Sequence, residues 1–262
     1  MREILFTIGD FPVRSYGLVV ALAVLFALGM AHFLAKGTPY QKHILDLVPY
    51  AAIGALICAR LWHVFFFDWD YYAKHLAEIP RIWQGGIAIQ GALIGGLAAV
   101  AIYTRKHRIS FWELADIMAP AIVLGQAIGR FACFLNGCAF GSPTGSSFGL
   151  IYPEGTVAFE VYGSQPLWPA EVWEGQWDLI VFVMLILLKY RKWPTGFFFL
   201  TYNILYSLGR FMLEFLRGDS PRYVFNWTAG QWTSMGVIVV CLSVLIMFLI
   251  SNRQKQEVSI NV

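Results

Sequence analysis

Charge is scarce in this 262-residue chain: Asp, Glu, Lys and Arg together make up 13% of it, against 58% hydrophobic and 16% aromatic residues. An average soluble domain is about 25% charged, so the composition excludes an ordinary water-soluble fold. The net charge is only +3, which excludes the basic footprint of a nucleic-acid binder. Four cysteines are too few for a disulfide scaffold. The N-terminus lacks the basic, apolar and small-residue order of a cleaved signal peptide, so the first apolar run is expected to stay as an anchor. No low-complexity linker and no repeat of 20–50 residues interrupts the chain. One single-domain membrane protein over 1–262 is the expectation.

What is present is a series of apolar runs near the ~20 residues that a helix needs to cross a bilayer. They predict an all-α, polytopic membrane helix bundle with about seven spans, at 15–35, 44–66, 86–104, 111–134, 176–190, 196–215 and 231–250. Tyr16, Trp62, Trp83, Tyr103, Trp112, Trp177, Tyr190 and Trp232 sit at span edges, as an interfacial belt requires. Lys36 and Lys42, then Arg105, Lys106 and Arg108, then Lys189, Arg191 and Lys192, then Arg253 and Lys255 fall in alternate connections. Those read as cytoplasmic, which puts the N-terminus outside and the C-terminus inside. The connection near 135–175 has no Lys or Arg and reads as an outside loop.

Arg14, Arg60, Arg130 and Arg210 then fall toward the outer ends of their spans, and Arg217 and Arg222 follow in an outside loop. Charge at membrane depth is costly and usually faces a protein interior or a polar cavity. Arg14 and Arg222 read as snorkelling to the interface. Arg130 and Arg210 read as holding an anionic ligand, for which a phospholipid headgroup of the outer leaflet is the natural candidate. Tyr206, Arg210 and Glu214 stand four residues apart and so share a helix face, with Asn203 and Arg217 close to it. A lone Arg–Glu pair is often structural; a stripe with a tyrosine and a second arginine points further.

The run Gly129-Arg130-Phe131-Ala132-Cys133-Phe134-Leu135-Asn136-Gly137-Cys138 ends the fourth span. Its glycines permit a bend, Arg130 offers a bidentate cation and Asn136 an amide. Gly91/Gly95 and Ala92/Gly96 make a small-residue face for helix packing, on a helix that also carries Gln90. Cys133 and Cys138 read as packing residues; their spacing does not select a disulfide, and no metal set accompanies them. His63 reads as a hydrogen-bonded helix histidine rather than a ligand.

With these motifs in order, the chain resembles the prolipoprotein diacylglyceryl transferases over nearly its whole length. The resemblance rests on Arg14-Ser15-Tyr16-Gly17, Ala59-Arg60-Leu61, Gly85 to Gly96, Asp116 to Gly141, Pro169 to Glu174, and Tyr206 to Arg217. It implies transfer of a diacylglyceryl group from phosphatidylglycerol to the lipobox cysteine of a prolipoprotein, forming a thioether and releasing glycerol phosphate. Such a displacement needs a thiolate and cations against the charge on the departing phosphate. Arg130, Arg210, Glu214, Gln90 and Tyr16 are the implied catalytic group. Arg60, Asn136, Gly137, Tyr206, Asn203, Arg217 and Glu174 are implied in binding lipid or substrate. Phosphatidylglycerol, prolipoprotein signal peptides and membrane lipids are the expected partners, with no cofactor, no nucleic acid, a bacterial inner-membrane location and a monomeric working state.

Three departures from the family pattern stand out. Gln90 occupies the place of a histidine often credited with deprotonating the thiol, and a neutral amide is no base. Cys138 stands where a glutamate is frequent, and Trp168-Pro169 replaces a His-Pro. The phosphate-handling half is complete while the base is unassigned, with Glu214, Tyr16 or unassisted ionisation open. The rival reading is a catalytically altered lipid-binding or lipid-moving protein of the same fold.

Overall fold

A computed structural model describes residues 4–8 and 11–260; the side chains of 5, 8, 11, 12, 84 and 251–260 lie outside the described set, and with them those of Arg253 and Lys255. The order is β1 (Ile4–Ile8), β2 (Phe11–Arg14), α1 (Ser15–Leu34), α2 (Gln41–Phe66), the short α3 (Trp69–Tyr72), α4 (Ile89–Lys106), α5 (Phe111–Asn136), α6 (Val157–Tyr162), α7 (Ala170–Leu188), α8 (Phe197–Leu213) and α9 (Ala229–Ile260). The chain is mostly helical, with one departure from the all-α expectation: β1 and β2 form an antiparallel hairpin, Phe6 opposite Val13.

Among the described residues, four helices are long and apolar enough to cross a membrane: Ser15–Leu34, Gln41–Phe66, Phe111–Asn136 and Ala229–Ile250. The remaining long helices are more polar or shorter. α4 ends on Arg105 and Lys106, α7 carries Glu171, Glu174 and Asp178, and α8 has 17 residues. The span expected at 176–190 begins earlier, at Ala170, because Pro169 precedes the first helical turn and Glu171 in that turn favours its positive dipole end. The helix expected from residue 86 begins at Ile89, since Gly85 and Gly86 both adopt positive φ.

The chain falls into two compact units, His32–Leu114 and Met1–Ala31 with Ala115–Val262. In the first, α2 and α4 pack through small residues: a Cβ on Gly91 would collide with the Cys58 carbonyl, and one on Gly95 with that of Gly54. The predicted small-residue face is therefore a real backbone-to-backbone contact.

In the second unit Ala119 and Val123 of α5, Val181 and Leu185 of α7 and Tyr202 of α8 form a buried core, with Trp177, Leu205 and Tyr206 packed against it. α8 starts where Asp116 of α5 accepts hydrogen bonds from Gly196 N (2.6 Å) and Phe199 N (2.9 Å), two donors that the first turn leaves unpaired. α9 starts at a capping box: Gln231 N donates to Thr228 Oγ1 (3.2 Å) and Thr228 N donates to Gln231 Oε1 (3.0 Å). Along α9 Val239, Val240, Ile246, Met247 and Ile250 face outward, as a lipid-facing helix requires.

Candidate active site

α5 ends in a Schellman turn. Gly137 takes φ +65°, its N–H donates to the Phe134 carbonyl (3.4 Å), and Cys138 N donates to that of Cys133 (3.1 Å). A Cβ at Gly137 would also stand 2.7 Å from the Thr156 Cβ. The turn sends the chain back across the bundle, where it is laced to the segment after α8. Ser142 N donates to the Leu216 carbonyl (2.7 Å), and Gly218 N to that of Phe140 (3.1 Å). Gly141 and Arg217 form an antiparallel bridge. The lacing delivers Arg217 to the same place as the helical arginines, by a route that helix periodicity does not describe. α8 itself stops at Leu213, and Glu214–Leu216 is a 3-10 turn.

Glu174 is the hub. Its Oε2 lies 2.6 Å from Arg130 Nη1, and its Oε1 lies 2.6 Å from Arg210 Nη1 and 3.5 Å from Arg217 Nη1. Arg210 Nη2 reaches Glu214 Oε2 at 2.8 Å. Arg217 makes a bidentate pair with Asp219, with both contacts at 2.7 Å. Glu174 and Glu214 are 4% and 1% exposed, so these are desolvated pairs of the kind that cost several kcal/mol to break. Gly175 makes the approach possible: a Cβ there would stand 3.1 Å from the Cβ of Arg130. Burial works against the Arg217 charge, but the hydrogen bonds it donates to Asp219 and the field of Glu174 more than offset it, and its pKa lies above the usual value.

Arg130 borders two spaces. On one side is a crevice lined by Glu174, Asp178, Tyr206, Gly209 and Arg210, with Trp177 donating from Nε1 to the Leu205 carbonyl (2.9 Å). On the other is a cavity of about 290 Å³ lined chiefly by Ala127, Phe131, Phe134, Val172 and Leu179, with Glu171 in its wall. A cation between a polar crevice and an apolar cavity suits an amphipathic ligand carrying a phosphate.

The structure thus brings together Arg130, Glu174, Tyr206, Arg210, Glu214 and Arg217. Tyr16 is 43% exposed and lies within electrostatic reach of Arg130, Cys133 and Cys138. Asn136 closes α5 and lowers the pKa of the Cys138 thiol that follows it. Asn203 turns away, donating to its own helix at the Phe199 carbonyl (2.8 Å).

Arg60 and Gln90 belong to the other unit. Arg60 is 4% exposed and donates to the carbonyls of Glu78, Ile79, Gly85 and Gly86 at 2.6–2.9 Å, beneath a cation–π contact with Tyr72. Its guanidinium holds the loop before α4. Gln90 is an exposed residue of the first turn of α4. His63 Nε2 lies 2.8 Å from Asp68.

Sequence reasoning passed over Asp178, Asp219 and Thr228. Glu171, Glu174 and Asp178 stand at i, i+3 and i+7, a helical-face signal hidden by starting the helix at Gln176. The Thr228-x-x-Gln231 pattern was an available cap signature. Nothing in the sequence pointed to Asp219. Among the described residues no three His, Cys, Asp or Glu side chains are grouped to hold a metal, and all four cysteines are free.

Fold and site together define a helical membrane protein with an arginine-ringed carboxylate at a polar centre. The model of one family, prolipoprotein diacylglyceryl transferase, matches residues 3–247, and the chain belongs to that family. It is 41% identical over 219 residues to the phosphatidylglycerol–prolipoprotein diacylglyceryl transferase of Acaryochloris marina, covering 82% of this chain and 80% of the relative. It is 39% identical over 244 residues to the protein of that name from Geobacillus kaustophilus, covering 91% and 89%. The Bacillus velezensis protein of the same name is 38% identical over 249 residues, covering 94% and 92%.

Proposed function

We propose that this chain transfers the diacylglyceryl group of phosphatidylglycerol to the lipobox cysteine thiol of bacterial prolipoproteins. The observation that carries the reading is the convergence of Arg130, Arg210 and Arg217 on one buried carboxylate beside an apolar cavity. Sulfur attacks the glyceryl carbon, the carbon–oxygen bond breaks, and its electron pair leaves on the phosphate as glycerol phosphate. Arg130 and Arg210 stabilise the charge that grows there, as preorganised cations in a water-poor site do. Glu214 fixes Arg210, Glu174 spaces the arginines, and Tyr16, Tyr206, Asn136 and Gly137 shape the surroundings of the headgroup. Arg60 and Gln90 lie in the other unit, where Arg60 braces the loop that leads into α4.

The finer reading places the protein as a monomer in the bacterial inner membrane, with seven spans, the N-terminus outside and the C-terminus cytoplasmic. The alternation of Lys and Arg between connections supports the orientation of the termini. The test is mass spectrometry of a lipobox peptide incubated with the purified protein and phosphatidylglycerol. A diacylglyceryl adduct that is lost with Arg130→Ala is expected. Lipid retained without any adduct would overturn the transfer reading in favour of a lipid binder.

A further inference from the structure

The transfer reading leaves one step without a residue, the removal of the thiol proton. Gln90 is an amide and accepts no proton at useful pH. Glu214 is committed to Arg210 (2.8 Å) and to the Thr228 hydroxyl (3.0 Å), and Glu174 to three guanidiniums. Glu171 differs from both. It is fully buried on the first turn of α7, and its Oε2 has no hydrogen-bond partner among the described residues; Glu174 Oε2 and Glu214 Oε2 lack one too, but each of those faces an arginine. Its Oε1 accepts the hydrogen bond of the buried Tyr152 hydroxyl. Burial and that same bond push the Tyr152 phenol above its ordinary range, so it stays a donor and fixes the carboxylate.

Glu171 also lines the apolar cavity that Arg130 borders. One wall of that space is therefore formed by the residue that bears this oriented, buried carboxylate, and another by the cation Arg130. An orienting group, a base and an electrophile-holding cation around one cavity are the parts that a base-assisted displacement requires. Asp178 also has an unpartnered buried oxygen, Oδ2, but it lines the polar crevice with Tyr206 and Arg210 and has no orienting hydroxyl.

We infer that Glu171 is the general base of the transfer and that Tyr152 positions it. This rests on the transfer reading. Glu171 Oε2 takes the proton from the acceptor S–H, and the sulfur electron pair forms the carbon–sulfur bond. The carbon–oxygen bond breaks toward the phosphate between Arg130 and Arg210, and the proton then passes from Glu171 to the departing phosphate or to water.

The experiment compares two lipobox peptides, one with cysteine and one with selenocysteine, whose selenol ionises at neutral pH without help. Full-length wild type, Glu171→Gln, Tyr152→Phe and Arg130→Ala are incubated with phosphatidylglycerol, and adducts are followed by mass spectrometry. Glu171→Gln is expected to slow the cysteine peptide by about 10²–10⁴-fold while sparing the selenocysteine peptide. Tyr152→Phe is expected to give a smaller loss with the same split, and Arg130→Ala to lose both peptides. Undiminished cysteine turnover in Glu171→Gln, or equal loss of both peptides, would overturn the assignment. Wild type that modifies neither peptide would overturn the transfer reading itself, and the assignment with it.

Discussion

The Thr228 hydroxyl donates a hydrogen bond to Glu214 Oε1 at 3.0 Å, while Thr228 Oγ1 itself accepts from Gln231 N at 3.2 Å. The residue that caps α9 is thus also the residue that holds the carboxylate paired with Arg210. Replacing it with the near-isosteric valine removes both bonds. Thr228→Val should lower stability by about 1–2 kcal/mol through the lost cap, measured by thermal unfolding in detergent. It should also couple to Glu214→Gln in a double-mutant cycle on turnover, by about 0.5–3 kcal/mol. Additive effects would show that the two residues act independently.

Glu174 separates three guanidiniums that would otherwise face one another in a buried site. Glu174→Gln leaves them unneutralised and is expected to cost about 3–5 kcal/mol. Lower detergent stability together with loss of transfer is the outcome to look for. A variant as stable as wild type would mean that the arginines find other counter-ions.

Asp116 accepts from two backbone N–H groups at the start of α8. Asp116→Ala should destabilise the protein by roughly 0.5–2 kcal/mol. Hydrogen exchange should show the loss first at Gly196 and Phe199, far along the helix from Arg210.

In the other unit, α2 and α4 touch backbone to backbone at Gly91 and Gly95. Gly91→Leu should separate the helices and abolish accumulation of folded protein in the membrane. Gly96→Ala should be tolerated, because its Cβ would meet Ala55 only at an ordinary 3.8 Å. Quantitative blotting of membrane fractions distinguishes the pair.

Cys138 follows the last turn of α5, and its thiol pKa is lowered to about 6. The hydrogen bond with Cys133 is the largest cause; Asn136 and Arg217 act in the same direction, while burial opposes them. Because the thiolate is the reactive form, alkylation of Cys138 should rise with pH, reach half its maximum near 6 and level off above 7. Cys133→Ala should move that midpoint upward.

Much of the helical layout was legible because long apolar runs have few alternatives in a chain so poor in charge. The Arg130 and Arg210 segments were legible for the same reason: a cation inside an apolar run needs a partner. Helix α7 was placed late because its first turns are acidic, and hydropathy starts a span only where the acids end. A start at Gln176 leaves Glu171 and Glu174 outside the span, and with them the helical face that both share with Asp178. Arg217 was assigned to a helical face, yet it reaches Glu174 through a 3-10 turn and a bridge to Gly141. Contacts of that kind depend on which loop crosses which, and local periodicity carries no record of them. Arg60 shows the opposite limit. Its place in an apolar run suggested a ligand, and the structure supplies four carbonyls from its own following loop.

Glu174 occupies the guanidinium faces that a lipid phosphate would seek. An arriving headgroup therefore competes with a resident anion, and its net affinity is the difference between two sets of ion pairs rather than the sum of new ones. In the proposed reaction, substrate entry would be an exchange of counter-ions, with the returning carboxylate helping to expel the freed phosphate. A site built this way trades tight holding for turnover.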